Sequence, residues 1–260
     1  MKKLVSIVSL VLVLIFISCK KDPKNESTST VETSAPIVQT NAINFKINNM
    51  VGNMPLALST QTYINQNQDT FTVDIFKYYI SNIKLKRDDG YQFVEPNSYR
   101  LVSQSDSLSQ SFTIQNVPLG NYISMEFIIG VDSAKNCSGA QSGALDPIND
   151  MFWDWSQGYI FSKLQGVSHS SPVGSYFNHI GGFSGQWNAI VTSQPSFGSY
   201  VIQLTGDHIP KVLIKADVLE WFKNPQTIDI ASYNAVTVGK KAHEIAANYS
   251  DMFTVTSVIN

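Results

Sequence analysis

The chain has 260 residues, 43% of them hydrophobic and 15% charged, with a formal net charge of −2 and two cysteines. A balance that close to neutral gives no support to a nucleic-acid binder, which needs a basic stripe to meet phosphates. The length suits one large domain with attached terminal segments.

Lys2 and Lys3 precede an apolar run from Leu4 to Ile17, which ends at Ser18-Cys19 and is followed by Lys20-Lys21-Asp22. A basic start, an apolar middle and a small residue at the cut predict a secretory signal peptide over residues 1–18. The run is short for a spanning helix, which needs about 20 apolar residues. The stretch "FISCKKD" resembles a bacterial lipobox, with Phe16 where leucine is usual, a tolerance of Bacteroidetes-type envelope lipoproteins. That resemblance makes Cys19 the lipidated first residue of the mature protein and the membrane a partner through its lipid. The implied location is the cell envelope, as an outer-membrane lipoprotein on the periplasmic or the surface side. An uncleaved anchor would equally leave the domain outside the cytoplasm. Removing residues 1–18 takes away two lysines and no acid, which moves the net charge from −2 to −4. Cys137 is then the one remaining thiol; free cysteine is most often a small buried hydrophobe, and it is also a soft-metal ligand.

Residues 19–41 form the lipidated N-terminus and a tether. "KKDPKNESTSTVETSAPIVQTN" has too few large apolar residues to offset the entropy of ordering, and a flexible chain of that length spans on the order of 25 Å. From residue 42 to 260 period-two patterns recur: Ile43, Phe45 and Ile47; Phe71, Val73 and Ile75; Ile123, Met125, Phe127, Ile129 and Val131; Tyr200, Ile202 and Leu204; Val212 and Ile214. In "FTVDIFKYYISNIKL" the apolar phase slips after Ile75 to Phe76, Tyr78 and Ile80, which predicts a bulge. Two segments read as helices, "ADVLEWFKN" with Asp217 as its cap and "GKKAHEIAANY" with Ile245, Ala246 and Tyr249 in one stripe. The expected class is all-β: a two-sheet β-sandwich with one or two short helices.

The catalytic signatures HExxH, GxSxG, GxxxxGK[ST] and CxxC do not occur, so hydrolase or nucleotide chemistry has no support and the expectation is a non-enzyme. The stretch "MFWDWSQGYIF" places Trp153 and Trp155 one residue apart; on a strand both indoles would share a face, as a core anchor or as a paired surface. Asp146, Asp150 and Asp154 recur at every fourth position, which offers oxygen ligands for calcium or, equally, caps for turn amides. Among the histidines, His179 sits in "YFNHIGGF", where Gly181 and Gly182 let another group approach closely, and His243 sits in the last helix beside Glu244. His208 precedes an expected strand, and His169 carries no further signal.

Six blocks in order resemble the MbnP-like family of copper-binding envelope proteins, relatives of methanobactin-associated proteins: "FKYYISNIKL", "VPLGNY", "FIIGVD", "LDPINDMFWDWSQGYIFSKLQG", "FNHIGG" and "AANYSDMFTV". The resemblance implies a β-sandwich whose copper-binding members hold Cu(I) with two histidines and a tryptophan oxidised to kynurenine. Ring opening turns a poor indole donor into a coordinating aromatic amine. On this chain the implied copper ligands are Trp155, with Trp153 as its substitute, and His179; the implied partner is a separate di-haem tryptophan-oxidising protein. The chain departs from the pattern where a histidine is expected before the WxW segment, since Asn149 and Asp150 stand there. The second soft ligand would have to be His243, His169 or Cys137. The alternative function is an extracellular binding or adhesion module that stacks exposed aromatics on a glycan or protein.

Overall fold

The computed structural model describes residues 38–154 and 156–260; the leader, Cys19, nearly all of the tether and Trp155 lie outside the described residues. The chain opens with β1 (Thr40–Val51), three two-residue strands, β2 (Met54–Pro55), β3 (Tyr63–Ile64) and β4 (Thr70–Phe71), and the long β5 (Ile75–Arg87). Next come β6 (Gln92–Val94), β7 (Tyr99–Ser103), β8 (Ser111–Pro118), β9 (Gly120–Ile129) and the short helix α1 (Ser133–Cys137). The strands β10 (Phe152–Asp154), β11 (Gly158–Val167), β12 (Ser175–Gly181), β13 (Val191–Ser193), β14 (Ile202–Leu204) and β15 (Lys211–Asp217) follow. They lead to β16 (Ala235–Val236), helix α2 (Lys240–Tyr249) and β17 (Phe253–Ile259).

These strands make the expected sandwich. One sheet has five strands in the order β17, β15, β1, β2, with β8 also on β1. The larger sheet has ten, with β13, β9, β5, β11, β12 and β16 in line; β6 and β7 pair with β5, β10 with β11 and β14 with β9, while β3 and β4 pair only with each other. In the smaller sheet β1 runs parallel to β15, with Phe45 opposite Val212 and Ile47 opposite Ile214. All four are buried, because alternate residues of a strand share one face. Phe253 of the smaller sheet meets the edges of Tyr78 from β5 and Phe127 from β9, with ring centroids 5.6 and 5.0 Å apart, so the aromatic core spans both layers.

Several local expectations need correction. The phase slip near Ile75 is a bend at Asp74 between β4 and β5. The bulge in β5 lies further on at Asn82, whose φ is 55° and where the register with β9 shifts. Ile123 is 40% exposed, because a second shift next to Arg87 turns Tyr122 inward in its place. Tyr200 lies outside β14 and is exposed. The segment "ADVLEWFKN" makes only a 3-10 turn, Val218–Phe222, although Asp217 caps it as expected by accepting from the Leu219 amide at 3.0 Å. Helix α2 forms as read and buries Ala242, Ile245, Ala246 and Tyr249.

Candidate functional site

The site lies on the face of the large sheet that points away from the core. On β11, Leu164 points into the core, and its neighbours Lys163 and Gln165 therefore point out. Lys163 stands opposite Lys77 of β5 on one side and opposite His179 of β12 on the other, so the three side chains form one row. Two adjacent ammonium groups repel unless acceptors answer them. The segment after α1 supplies those acceptors: Lys77 Nζ donates to the Asn149 carbonyl at 3.1 Å, and Lys163 Nζ donates to the Asp150 carbonyl at 2.6 Å and to Asp150 Oδ2 at 2.7 Å. Two tyrosine hydroxyls hold the same segment further back, Tyr79 on the Ala144 carbonyl at 3.0 Å and Tyr159 on the Leu145 carbonyl at 2.8 Å.

Asp150 sits in the left-handed region, with φ 60° and ψ 37°, a conformation that aspartate tolerates better than most residues. The hydrogen bond from Lys163 holds its carboxyl below the usual carboxylate range. The Lys163 side chain is only 3% exposed, whereas that of Asp150 is 73% exposed, so the ammonium is buried and its partner faces water.

From Asp150 the chain enters β10, which pairs with β11 and sets Phe152 on Tyr159, with ring centroids 4.9 Å apart. Trp153 is partly buried and lies on Gly181: a β-carbon there would stand 2.5 Å from Trp153 Cζ3 and 2.9 Å from Cη2. The close approach expected at Gly181 is therefore the indole itself. Gly181 follows His179 by two positions on the same face of β12, so the Trp153 indole covers the sheet face that also bears His179. His179 Nε2 lies 2.9 Å from Gln165 Oε1; with a carbonyl oxygen as acceptor, Nε2 carries the proton and Nδ1 keeps the lone pair. Burial, reinforced by the Lys163 ammonium and opposed by Asp150, pushes the His179 pKa down to about 4, so the ring is neutral at ordinary pH.

The remaining candidates stand elsewhere. His243 Nδ1 bonds the Asn188 carbonyl at 2.7 Å and meets Trp187 edge-on, with centroids 5.8 Å apart. His208 Nδ1 lies 3.0 Å from both Thr205 Oγ1 and Asp207 Oδ1 in the turn before β15, and His169 is exposed in the turn after β11. Cys137 is not a buried hydrophobe: it ends α1 exposed, and its neighbour Asn136 is buried instead, accepting from the Tyr159 amide at 2.9 Å. For calcium, Asp146 accepts from the Ile148 amide at 3.0 Å, Asp150 is taken by Lys163, and Asp154 is described by its backbone alone. Among the described residues no group of three or more His, Cys, Asp and Glu could hold a metal ion. For copper, neutral His179 with its Nδ1 lone pair fits as one soft donor; the described residues bring no second histidine to it.

Sequence reading missed Lys77, Lys163 and Gln165. The signal for Lys163 was present, because a lysine inside the apolar run "GYIFSKLQG" has to find an acceptor if the strand is buried.

The chain is similar to MbnP from Methylosinus trichosporium, a solved structure, with a TM-score of 0.52 at 12% sequence identity over 78% of this chain and 82% of that one. At that identity the likeness concerns the fold. No curated protein matches the sequence. The MbnP family profile matches residues 40–242, which take in the large sheet, the smaller sheet except β17, the tryptophan strand and His179, and the chain belongs to the MbnP family.

Proposed function

We propose that this MbnP-family protein is a non-enzymatic lipoprotein of the cell envelope that handles copper at the sheet face that bears Trp153 and His179. The observation that carries the reading is the seat of Trp153 on Gly181, two residues from an imidazole held neutral with a free lone pair. A neutral imidazole needs to lose no proton before it can coordinate a metal, so ordinary pH presents no competition at this donor. Copper, when held, would supply a soft Lewis-acidic ion; the chain's own part is to orient the imidazole through Gln165 and to seat the indole on Gly181 of the same sheet face. The lipid at Cys19 and the tether would hold the domain clear of the membrane surface.

The test is native protein purified from the envelope. Peptide mass spectrometry of the segment holding Trp153 and Trp155 should find one ring opened, with loss of a carbon and gain of an oxygen, and the protein should carry copper. Protein made without an oxidising partner should keep its indoles and bind copper poorly. His179→Ala should lower Cu(I) affinity more than tenfold, about 1.4 kcal/mol, and His208→Ala should leave it unchanged. Intact tryptophans and no copper in native protein would overturn the copper reading.

A second reading, an extracellular binding module, draws on Phe177, which is 45% exposed two residues before His179 on the same face of β12, and on exposed Trp187. It predicts that Phe177→Ala abolishes partner capture while metal content stays at zero.

A further inference from the structure

The loop that leaves β12 carries Trp187 to the surface beside the start of α2. His243 from α2 meets the indole in a T-shaped contact, with ring centroids 5.8 Å apart, and ties its own Nδ1 to the Asn188 carbonyl at 2.7 Å. The indole is thereby held in place while the residue stays 37% exposed. Trp187 borders a cavity of about 340 Å³, which Gln157, Ser184, Gln186 and Val238 also line. That size lies at the low end of small-molecule sites, about 300–1,000 Å³. Gly182 and Gly185, with φ of 105° and 74°, turn the loop along the cavity and leave backbone in its wall instead of side chains.

Among the described residues none that lines the cavity is charged. The two lysines that open α2 are engaged elsewhere: Lys240 pairs with Glu244 at 3.4 Å, and Lys241 donates to the Ser232 carbonyl at 2.6 Å and lies over the Tyr233 ring. A phosphate or sulfate ester therefore meets no side-chain cation there, and a cationic ligand meets no carboxylate. The cavity offers an indole, amide groups that both donate and accept, and a hydroxyl. A neutral sugar ring matches that set: one face of a pyranose carries polarised C–H bonds, which suit the negative face of an indole, and its rim carries hydroxyls.

We propose that the Trp187 cavity binds a neutral sugar ring of a glycan chain, stacked on the indole and held at its rim by Gln186, with His243 positioning the indole. The inference needs no metal; it deepens the binding-module reading and rests on it. Phe177 stands four residues before Gly181, where the loop begins, about 13 Å away by the rise of a strand. A glycan of several rings held at Trp187 can therefore extend to the exposed Phe177 ring on which that reading draws.

The test uses the full-length lipoprotein in a detergent without a sugar headgroup, titrated with maltohexaose, cellohexaose and mannohexaose, and with hexagalacturonate as the acidic comparison. Calorimetry should find at least one neutral hexaose bound at least tenfold more tightly than the acidic one, and tryptophan emission should shift blue as the sugar covers the indole. Trp187→Ala should lower that affinity more than tenfold. Trp187→Phe should keep most of the affinity and lose the emission shift, a split that a merely structural indole would not give. His243→Ala should weaken binding severalfold and His243→Phe should restore it, while His179→Ala should leave it unchanged. Gln186→Ala should also weaken binding severalfold, and it serves in place of Trp187→Ala if that chain fails to fold. Hexaose binding that depends on Phe177 and not on Trp187 would overturn the Trp187 site and leave the binding-module reading standing. No binding of any neutral hexaose would overturn the site, and if Phe177→Ala also loses no partner capture, the binding-module reading falls with it.

Discussion

The six-membered ring of Trp153 lies on the backbone of Gly181, so close that a methyl group there would overlap Cζ3 at 2.5 Å and crowd the Tyr159 carbonyl at 2.8 Å. Glycine is required at this position by what covers it, and the residue's place in β12 makes the contact part of the sheet face that bears His179. Gly181→Ala should cost about 2–3 kcal/mol, the range for overpacking a site whose neighbours include backbone. The check is a urea midpoint alongside tryptophan emission, which should shift red as the indole lifts. Combining it with Trp153→Leu should recover part of the loss, and purely additive costs would show that the two residues do not touch.

His179 gives the fold a pH dependence of known sign. Its folded pKa of about 4 lies below the ordinary imidazole value of about 6.5, so between these values the unfolded chain takes up a proton that the folded chain refuses. Stability from this group is therefore full above about pH 6.5 and is lost as pH falls toward 4. The loss should be about 2 kcal/mol, less than the whole shift implies because the ring is partly solvated. Denaturation midpoints at pH 7 and pH 4.5 should differ by this amount in wild type, and the difference should shrink in His179→Gln.

The sandwich was legible because period-two burial survives in β1, β5, β9 and β15, where one face meets the other sheet. Two of the failures share a cause: at Asn82 and next to Arg87 the backbone shifts register, and a sequence pattern does not carry the extra residue that turns Tyr122 inward. Of the site, His179 and Gly181 were legible through "HIGG", since a glycine pair signals close approach. The lysine row was not, because it exists only across strands: Lys77 and Lys163 are far apart in sequence and become neighbours through the pairing of β5 with β11. Asp150 shows the same limit, as its spacing from Asp146 suggested a shared cation while the fold gave it a private one.

The proposed lipidation site lies upstream of the described residues, in "FISCKKD". Metabolic labelling with a palmitate analogue should tag the wild-type protein and leave Cys19→Ala unlabelled and released from the membrane fraction. Equal labelling of the two would place the anchor elsewhere.

Asp150 combines two roles whose costs can be separated by the choice of replacement. It offers Lys163 a carboxylate oxygen as well as a carbonyl, and it does so from a left-handed backbone. Asparagine keeps the tolerance for that backbone and an oxygen acceptor but loses the charge, so Asp150→Asn should cost about 1 kcal/mol, the value of weakening one charge-assisted bond. Glycine accepts the backbone freely but offers no side-chain oxygen and adds unfolded-state entropy, which should raise the cost to about 2 kcal/mol. Alanine loses the acceptor and lacks the short polar side chain that lets aspartate tolerate the left-handed region, so its cost should lie somewhat above that of glycine. None should reach the 3–5 kcal/mol of a fully buried pair broken on one side, because the carboxylate is largely solvated and the Asp150 carbonyl still receives the ammonium. Urea midpoints should therefore fall in the order wild type, Asn, Gly, Ala. If Asn matched wild type while Gly and Ala both fell, backbone conformation alone would fix this corner and the ion pair would contribute nothing to stability.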